Sequence, residues 1–345
     1  MTTHAPCETA LAMSRAATPA GTGRPAPSVA RDVVALATRA PSLHNTQPWR
    51  WRIVSDDVLE LFAAHDRQLR VLDPRGRLMT LSLGAALHHA MVAARAVDRA
   101  VTVERFPVGG PPDLVARLHL GEVVHAGPAE RIALSSLVAR RTDRRPFSSW
   151  ELPEDRLRHL GELAASYGVT TVRLDARQRV AVERLVAAAA GHHDGSPLTA
   201  GELAEWWGGD REGAGVPGAL VPDRLLDPLG IGRCEGGALE VDAPDDCASQ
   251  HTAVLALCHP DDSPDGWLAT GEAMSAVWLE AVSEGLGMVP VSLPVEVAEV
   301  RVRLREDVLG LLAHPQLLLQ VGWPHTASAR LAPSPRRPLD DVIVP

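Results

Sequence analysis

The chain contains no lysine, so all 34 of its Lys+Arg positions are arginine. With 28 glycines, 28 prolines and abundant alanine, this reads mainly as a genome-composition bias. A positive charge balance is also missing. The formal net charge is -9 and the pI about 5.9, which argues against a nucleic-acid binder. Cysteine is scarce: Cys7, Cys234, Cys247 and Cys258 form no CxxC pair, so no metal or redox motif is indicated. A Cys234–Cys247 disulfide is conceivable, but reduced thiols of a cytosolic protein are the better expectation. No uninterrupted apolar run reaches the roughly 20 residues that a membrane helix needs. The N-terminus shows no signal-peptide hydrophobic region. A soluble, cytoplasmic protein is expected, with no membrane or nucleic-acid partner.

What is present is ample core material: 345 residues, 46% hydrophobic, enough for one large or two ordinary domains. Residues 1–28, rich in Ala, Pro, Thr and Gly without periodicity, predict a disordered tail. Val29–Arg39 places Val33, Val34, Leu36 and Ala37 at helical spacing. Trp51–Val54 and Val58–Ala63 flank Ser55-Asp56-Asp57 and predict a β-hairpin. A long helix is predicted from Thr80 to about Asp98, then strands Val101–Phe106 and Leu114–Leu120, and a helix over about 128–139. Further helices are expected from Pro153 to about Tyr167, Ala176 to Ala190 and Trp267 to Gly285. Further strands are expected at Val169–Leu174, His251–Leu257 and Leu317–Val321. Leu286–Pro294 reads as an apolar connection and Ser334–Val344 as an arginine- and proline-containing tail. Residues 191–237, rich in Gly, Asp and Pro and carrying Trp206-Trp207, read as a lid or as a plain surface excursion.

Three stretches carry candidate chemistry. The first is Pro41-Ser42-Leu43-His44-Asn45-Thr46-Gln47-Pro48-Trp49. Pro41 ends the preceding helix, because a residue before proline is pushed out of the α region. The turn then displays five polar side chains in six positions, although a helix cap and strand lead-in would use the same residues. The second is Arg140-Arg141-Thr142-Asp143-Arg144-Arg145-Pro146-Phe147, an anion cradle or a solvated basic turn. The third is Gly285 to Ser292, which by itself is an ordinary link after a helix. The pairs His88-His89 and His192-His193 lack metal-ligand partners and read as helix-surface residues. Asp245-Asp246 and Asp261-Asp262 read as turn acids.

There is also an internal echo. Leu83-Gly84-Ala85-Ala86-Leu87 and Thr270-Gly271-Glu272-Ala273-Met274 place Gly, small and large apolar residues at matching offsets. This suggests two copies of one α+β unit, although Ala-rich amphipathic helices can look alike by chance.

The turn string, set between helix and strand, resembles the signature of the nitroreductase-like flavoproteins. That resemblance implies an α+β nitroreductase-like fold and FMN as cofactor. It also implies that Pro41, Ser42, Leu43, His44, Asn45 and Gln47 contact the flavin. The family's Arg-x-Ser-x-(Arg/Lys) phosphate motif maps onto Arg140, Thr142 and Arg144. Its C-terminal Lys-x-Arg maps onto Ser334 and Arg336, with serine where lysine is expected. Its segment over one flavin face maps onto Pro290, Val291 and Ser292. In the family the phosphate motif precedes the turn within one subunit of an intertwined homodimer. Here the order is reversed, and each half keeps what the other lacks.

The resemblance therefore implies a fused pseudo-dimer with one FMN site, similar to the Acg-like branch. Residues 29–127 would form one half, and 128–345, with the insertion, the other. The implied activity is ping-pong reduction of nitro or quinone acceptors, with NAD(P)H as possible donor. The protein itself would supply no nucleophile or general acid. The alternative is an FMN-sequestering protein whose lid blocks turnover; a ligand-binding protein with degenerate motifs would hold no flavin. Monomer and homodimer both remain open.

Overall fold

The computed structural model describes residues 28–207, 213–221, 239, 252–324 and 331–345. The expected N-terminal tail up to residue 27, much of the 191–237 segment, Cys7, Cys234, Cys247 and Asp245-Asp246 lie outside the described residues.

Helix α1 (Val29–Ala37) leads through the Pro41–Trp49 turn into β1 (Trp49–Ser55) and β2 (Val58–Ala63). Then come α2 (Arg77–Ala96), β3 (Arg99–Arg105) and β4 (Leu114–Val123). Helix α3 (Pro128–Ala139) carries the chain across to α4 (Glu154–Ala165), β5 (Thr170–Arg173), α5 (Ala176–Asp194) and α6 (Pro197–Trp206). After the insertion follow β6 (Ala253–His259), α7 (Pro264–Ser283), β7 (Gly287–Val291), α8 (Leu293–Glu296), α9 (Ala298–Arg303) and β8 (His314–Gly322). The chain ends in α10 (Leu339–Val342) and β9 (Ile343–Val344). The fold is α+β, and no helix among the described residues is long and apolar enough to cross a membrane.

The strands form two sheets, ordered β3-β4-β2-β1-β9 and β5-β6-β8-β7. Read from its other edge, the second runs β7-β8-β6-β5. It then matches β3-β4-β2-β1 strand for strand, with every pair antiparallel. In both, a helix and turn precede the first strand, and a 20-residue helix precedes the strand at the opposite edge. The sequence echo falls where those two long helices cross. A Cβ on Gly84 would lie far inside van der Waals distance of the Leu268 carbonyl oxygen and 3.0 Å from the Gly271 Cα. One on Gly271 would meet the Leu81 carbonyl and the Gly84 Cα in the same way. Glycine at both positions is what lets the backbones approach so closely.

The layers explain the hydrophobic patterns. Strand β6 is apolar on both faces. Ala253, Leu255 and Leu257 join the main core with α2 and α7, while Val254, Ala256 and Cys258 join a second core under α5, α8 and α9. A strand covered on both sides needs no polar alternation. The first sheet is covered on one side only. Trp49 and Trp51 face the main core, and Arg52 and Arg117 pair with Glu60 on the outer face.

Four expectations are corrected. Leu286–Pro294 is no mere connection but contains β7, an edge strand whose place in the sheet tolerates Pro290. The tail is not a plain tail: β9 pairs in parallel with β1, Trp51 opposite Ile343, so the last residues return to the first sheet. Helix α2 begins at Arg77 rather than Thr80, because Gly76 takes φ 68° and Asp73 accepts the Met79 N–H at 2.8 Å. Finally, His88 and His89 are buried rather than on the helix surface. Every residue of α2 except Met91 and Arg95 is buried, and Ser275 of α7 bonds both imidazoles. A helix packed on nearly all sides offers no surface face.

Candidate active site

The Pro41–Trp49 turn is held in an unusual backbone shape. His44 (φ 45°), Asn45 (φ 55°) and Gln47 (φ 50°) are all left-handed without being glycine. Each such residue costs on the order of 1 kcal/mol or more, so the surroundings must fix them. Ser42 Oγ accepts the Gln47 N–H at 2.9 Å, and Ser82 Oγ of α2 accepts the Leu43 N–H at 3.2 Å. The Asn45 amide donates to the Gly215 and Pro335 carbonyls at 2.9 and 3.1 Å and accepts from Arg336 at 3.1 Å. The Gln47 amide donates to the Gly213 carbonyl at 2.7 Å and accepts the Arg337 N–H at 3.0 Å. The turn is thus pinned at once to the insertion and to the C-terminal segment.

Beside it lies a cluster of arginines. Arg140 caps the C-terminus of α3, is buried, and stacks over the Trp278 ring at 4.7 Å. Its Nη2 donates to the Arg39 carbonyl at 3.3 Å, while Nε and Nη1 have no partner among the described residues. Arg336 donates to the Arg39 and Ala40 carbonyls at 2.9 and 3.1 Å, and its Nε is also buried without a partner. Burial, then the charges of Arg336, Arg141 and Arg39, push the Arg140 pKa well below the usual arginine range. Burial, then Arg39 and Arg141, push Arg336 down to about 9. Among the described residues, no carboxylate is one of the groups acting on either. Arg145, two residues from Asp143, is the contrast: its guanidinium bonds that carboxylate at 2.6 and 2.8 Å. Buried cations without acids are costly unless an anion compensates them.

The cluster forms part of the wall of a cavity whose empty space is about 850 Å³, open solvent at the mouth included. Its wall contains Pro41, Ser42, Leu43, His44 and Asn45 from the turn. Arg140, Thr142 and Arg144 come from the arginine string, Pro290 and Ser292 from around β7, and Ser334 and Arg336 from the C-terminal segment. The expected residues from four distant stretches therefore meet. Two do not reach the wall. Gln47 is fully buried behind the turn with its amide committed, and Val291 packs in the second core.

The sequence offered no signal for Leu78, Leu81, Ser82 or Met274, which also line the cavity, because buried helix positions read as core. It did flag the tryptophan pair. Trp207 is in the wall, with Gly215, Val216 and Pro217. Its indole N–H donates to His44 Nδ1 at 3.0 Å, which leaves the neutral ring's proton on Nε2. That Nε2 is buried without a partner among the described residues. Burial, then the charges of Arg144 and His193, push the His44 pKa down to about 3. His44 is therefore a neutral N–H donor in the cavity wall. Among the described residues, no group of three His, Cys, Asp or Glu side chains could hold a metal ion.

No family model matches the chain. The chain is 37% identical over 328 residues to "Putative NAD(P)H nitroreductase Rv3131" of Mycobacterium tuberculosis, covering 91% of this chain and 90% of that protein. It is 32% identical over 319 residues to "Putative NAD(P)H nitroreductase acg" of the same organism, covering 91% and 95%. A solved structure from Anabaena variabilis, described as a "putative nitroreductase", aligns over 93% of this chain and 91% of its own, with TM-score 0.46 and 10% identity. At the identity and coverage of these two mycobacterial relatives, the chain belongs to the nitroreductase family, in its Acg-like branch.

Proposed function

We propose that the cavity holds one FMN per chain and that the protein is an NAD(P)H-dependent oxidoreductase acting on electron-poor acceptors such as nitroarenes or quinones. The observation that carries this reading is the burial of Arg140 and Arg336 with no acid acting on them and three guanidinium nitrogens left without partners among the described residues. A phosphate monoester fits that demand, since its oxygens accept from several arginine forks and its charge offsets theirs. Arg140, Arg336, Arg144 and the Thr142 hydroxyl would hold the phosphate. Pro41, Leu43, Leu78, Leu81 and Met274 supply apolar wall for a ring system, and His44 Nε2–H supplies a donor. Gln47 and Val291 would support this wall from behind. When bound, FMN would take up two electrons and one proton from the nicotinamide and pass them to the acceptor.

Because both halves lie in one chain, no second chain is needed to complete the site. We read the protein as a fused pseudo-dimer, with 29–127 and 128–345 as its halves, in a monomeric or homodimeric assembly. The visible spectrum of the purified protein, with flavin released by denaturation and counted, tests this directly. About one FMN per chain supports it, and about two removes the single composite site. No flavin, and no spectral change on adding FMN, removes the flavin reading.

A second reading is favoured by one observation. Trp207, Gly215, Val216 and Pro217 wall the cavity, and Trp207 and Gly215 are bonded to His44 and Asn45 of the turn. Such a wall restricts the approach of a nicotinamide, as in an FMN-sequestering protein with little or no turnover. Steady-state NADPH oxidation with a nitroarene or quinone separates the two. If removing residues 195–232 leaves FMN bound and brings no gain in turnover, the blocking role is lost.

A further inference from the structure

Ser292 lies in the cavity wall just after β7. Its hydroxyl oxygen is 2.6 Å from Glu296 Oε1, four residues on at the far end of the short helix α8. Glu296 is outside the cavity, with only 4% of its side chain exposed. Among the described residues, the charged groups facing it are few. Arg77 of α2 and Asp73, in the loop before α2, act on it at a distance. Arg77 spends its own donors on the Gln316 and Val295 carbonyls. His193 of α5 places Nδ1 3.7 Å from Oε2, beyond hydrogen-bond length. Among the described residues Glu296 thus has one direct polar partner, the hydroxyl of a residue that lines the cavity. Burial, opposed by Ser292 and Arg77, raises its pKa to about 7, so the acid form persists to neutral pH.

We propose that Glu296 is the proton source for acceptor reduction in this cavity, acting through the Ser292 hydroxyl. The inference rests on the oxidoreductase reading above. Reduction of a quinone follows NAD(P)H + quinone + H⁺ → NAD(P)⁺ + hydroquinone. The nicotinamide supplies two electrons and one proton, so one further proton must reach the acceptor in each turnover. With Glu296 protonated, its O–H donates to Ser292 Oγ and the serine proton turns towards the cavity. The serine O–H bond breaks as its proton passes to the acceptor oxygen, and the Glu296 proton takes its place. The carboxylate left behind accepts the bond that Ser292 now donates. It regains a proton from solvent on the side of His193, which is itself nearly buried but lies next to the exposed His192. Burial, then the charge of His192, lowers the His193 pKa to about 4, so at neutral pH it can pass a proton without retaining it.

Infrared spectra of the flavin-free protein test the proton source without turnover. A protonated-carboxyl band should vanish as pH rises through about 7, be missing in Glu296→Gln and shift in frequency in Ser292→Ala. In the FMN-loaded protein, NADPH-driven quinone reduction should fall above about pH 7. Glu296→Gln should lower it about 100-fold near pH 6, with no further fall across neutrality. Ser292→Ala should be similarly slow while its carboxyl band still titrates, and it serves in place of Glu296→Gln should that variant not fold. An unchanged rate and pH profile in either variant, or no titrating band, overturns the relay alone. A wild-type protein that binds no FMN or reduces no quinone overturns the functional reading and the relay with it.

Discussion

The two sides of the α2–α7 crossing are built from the same parts and end in opposite chemistry. On one side, Arg140 and Arg336 are buried beside Arg39 and Arg141 with no acid among the described residues acting on them, in the wall of the cavity. On the other, Arg105 at the end of β3 forks onto Glu272 of α7, its nitrogens 2.9 and 2.7 Å from the carboxylate oxygens. β3 is the counterpart of β7, so Arg105 stands where Ser292 stands on the first side. Glu272 follows Gly271 as Ala85 follows Gly84. The turns differ likewise. After α1, three non-glycine residues are left-handed; after α4, only Gly168 is. Tyr167 in that second turn packs edge-on against His88, with ring centroids 5.9 Å apart. A repeated fold therefore need not repeat its site. What separates the two sides is whether the arginines find a carboxylate: half-exposed Arg105 does, while buried Arg140 and Arg336 find none among the described residues.

The seam shared by both sides should give the largest effect. Gly84→Ala and Gly271→Ala each force a methyl into the facing backbone, and each should destabilise by about 3 kcal/mol or more in urea denaturation. The double variant should cost less than the sum, because both substitutions open the same contact. A seam in which only one glycine matters would end the symmetry argument.

The next effects should have opposite signs on the two sides. Arg140→Met should weaken FMN binding about 10- to 100-fold, the worth of one charge-assisted bond. The same change should raise the melting temperature of the flavin-free protein, because it removes a buried, unbalanced charge. Arg105→Met should leave FMN affinity unchanged and lower stability by about 1–2 kcal/mol. It strands Glu272, which is 1% exposed, although the half-exposed arginine makes the pair weaker than a fully buried one. If Arg105→Met alters FMN affinity as much as Arg140→Met does, the two sides are not distinct.

Much of this was legible in the sequence, for physical reasons that differ by element. The β1–β2 hairpin and α3 were plain because one face of each is wet, so polarity alternates with burial. The turn and the arginine string were legible because their residue types are unusual at that density. The glycine echo marked the crossing because only glycine permits it. What was hidden lay where burial removes the pattern. Strand β7 is short, edge-placed and contains Pro290. Strand β9 is two residues long and gains its meaning only from pairing with β1 at the other end of the chain. His88 and His89 looked exposed because two adjacent histidines suggest a polar face, and nothing local reveals Ser275 across the seam. Glu296 had no local signature at all.

The smallest effect concerns the histidines on the two sides. His44 has its pKa lowered to about 3 when folded, below the ordinary 6.5 that the unfolded chain keeps. The unfolded chain therefore binds more protons between those values. The stability from neutral His44 is full above about pH 6.5 and is lost as pH falls through that window. The Trp207 indole N–H also occupies Nδ1 and must be given up if that nitrogen is to be protonated. Trp207→Phe keeps a ring in place and removes the donor. It should raise the His44 pKa, make the stability loss between about pH 6.5 and 3 shallower, and cost about 1 kcal/mol at pH 7. On the opposite side, His88 has its pKa lowered to about 4 by burial and then Arg95, and its Nδ1 is bonded to Ser275 rather than to Tyr167. Tyr167→Phe should therefore leave the His88 titration where it is. Proton NMR of the two imidazoles, with urea denaturation at about pH 7 and pH 5, reads both variants. An unmoved His44 in Trp207→Phe would mean that burial and Arg144 alone set its charge, and that the insertion contributes wall without electrostatics.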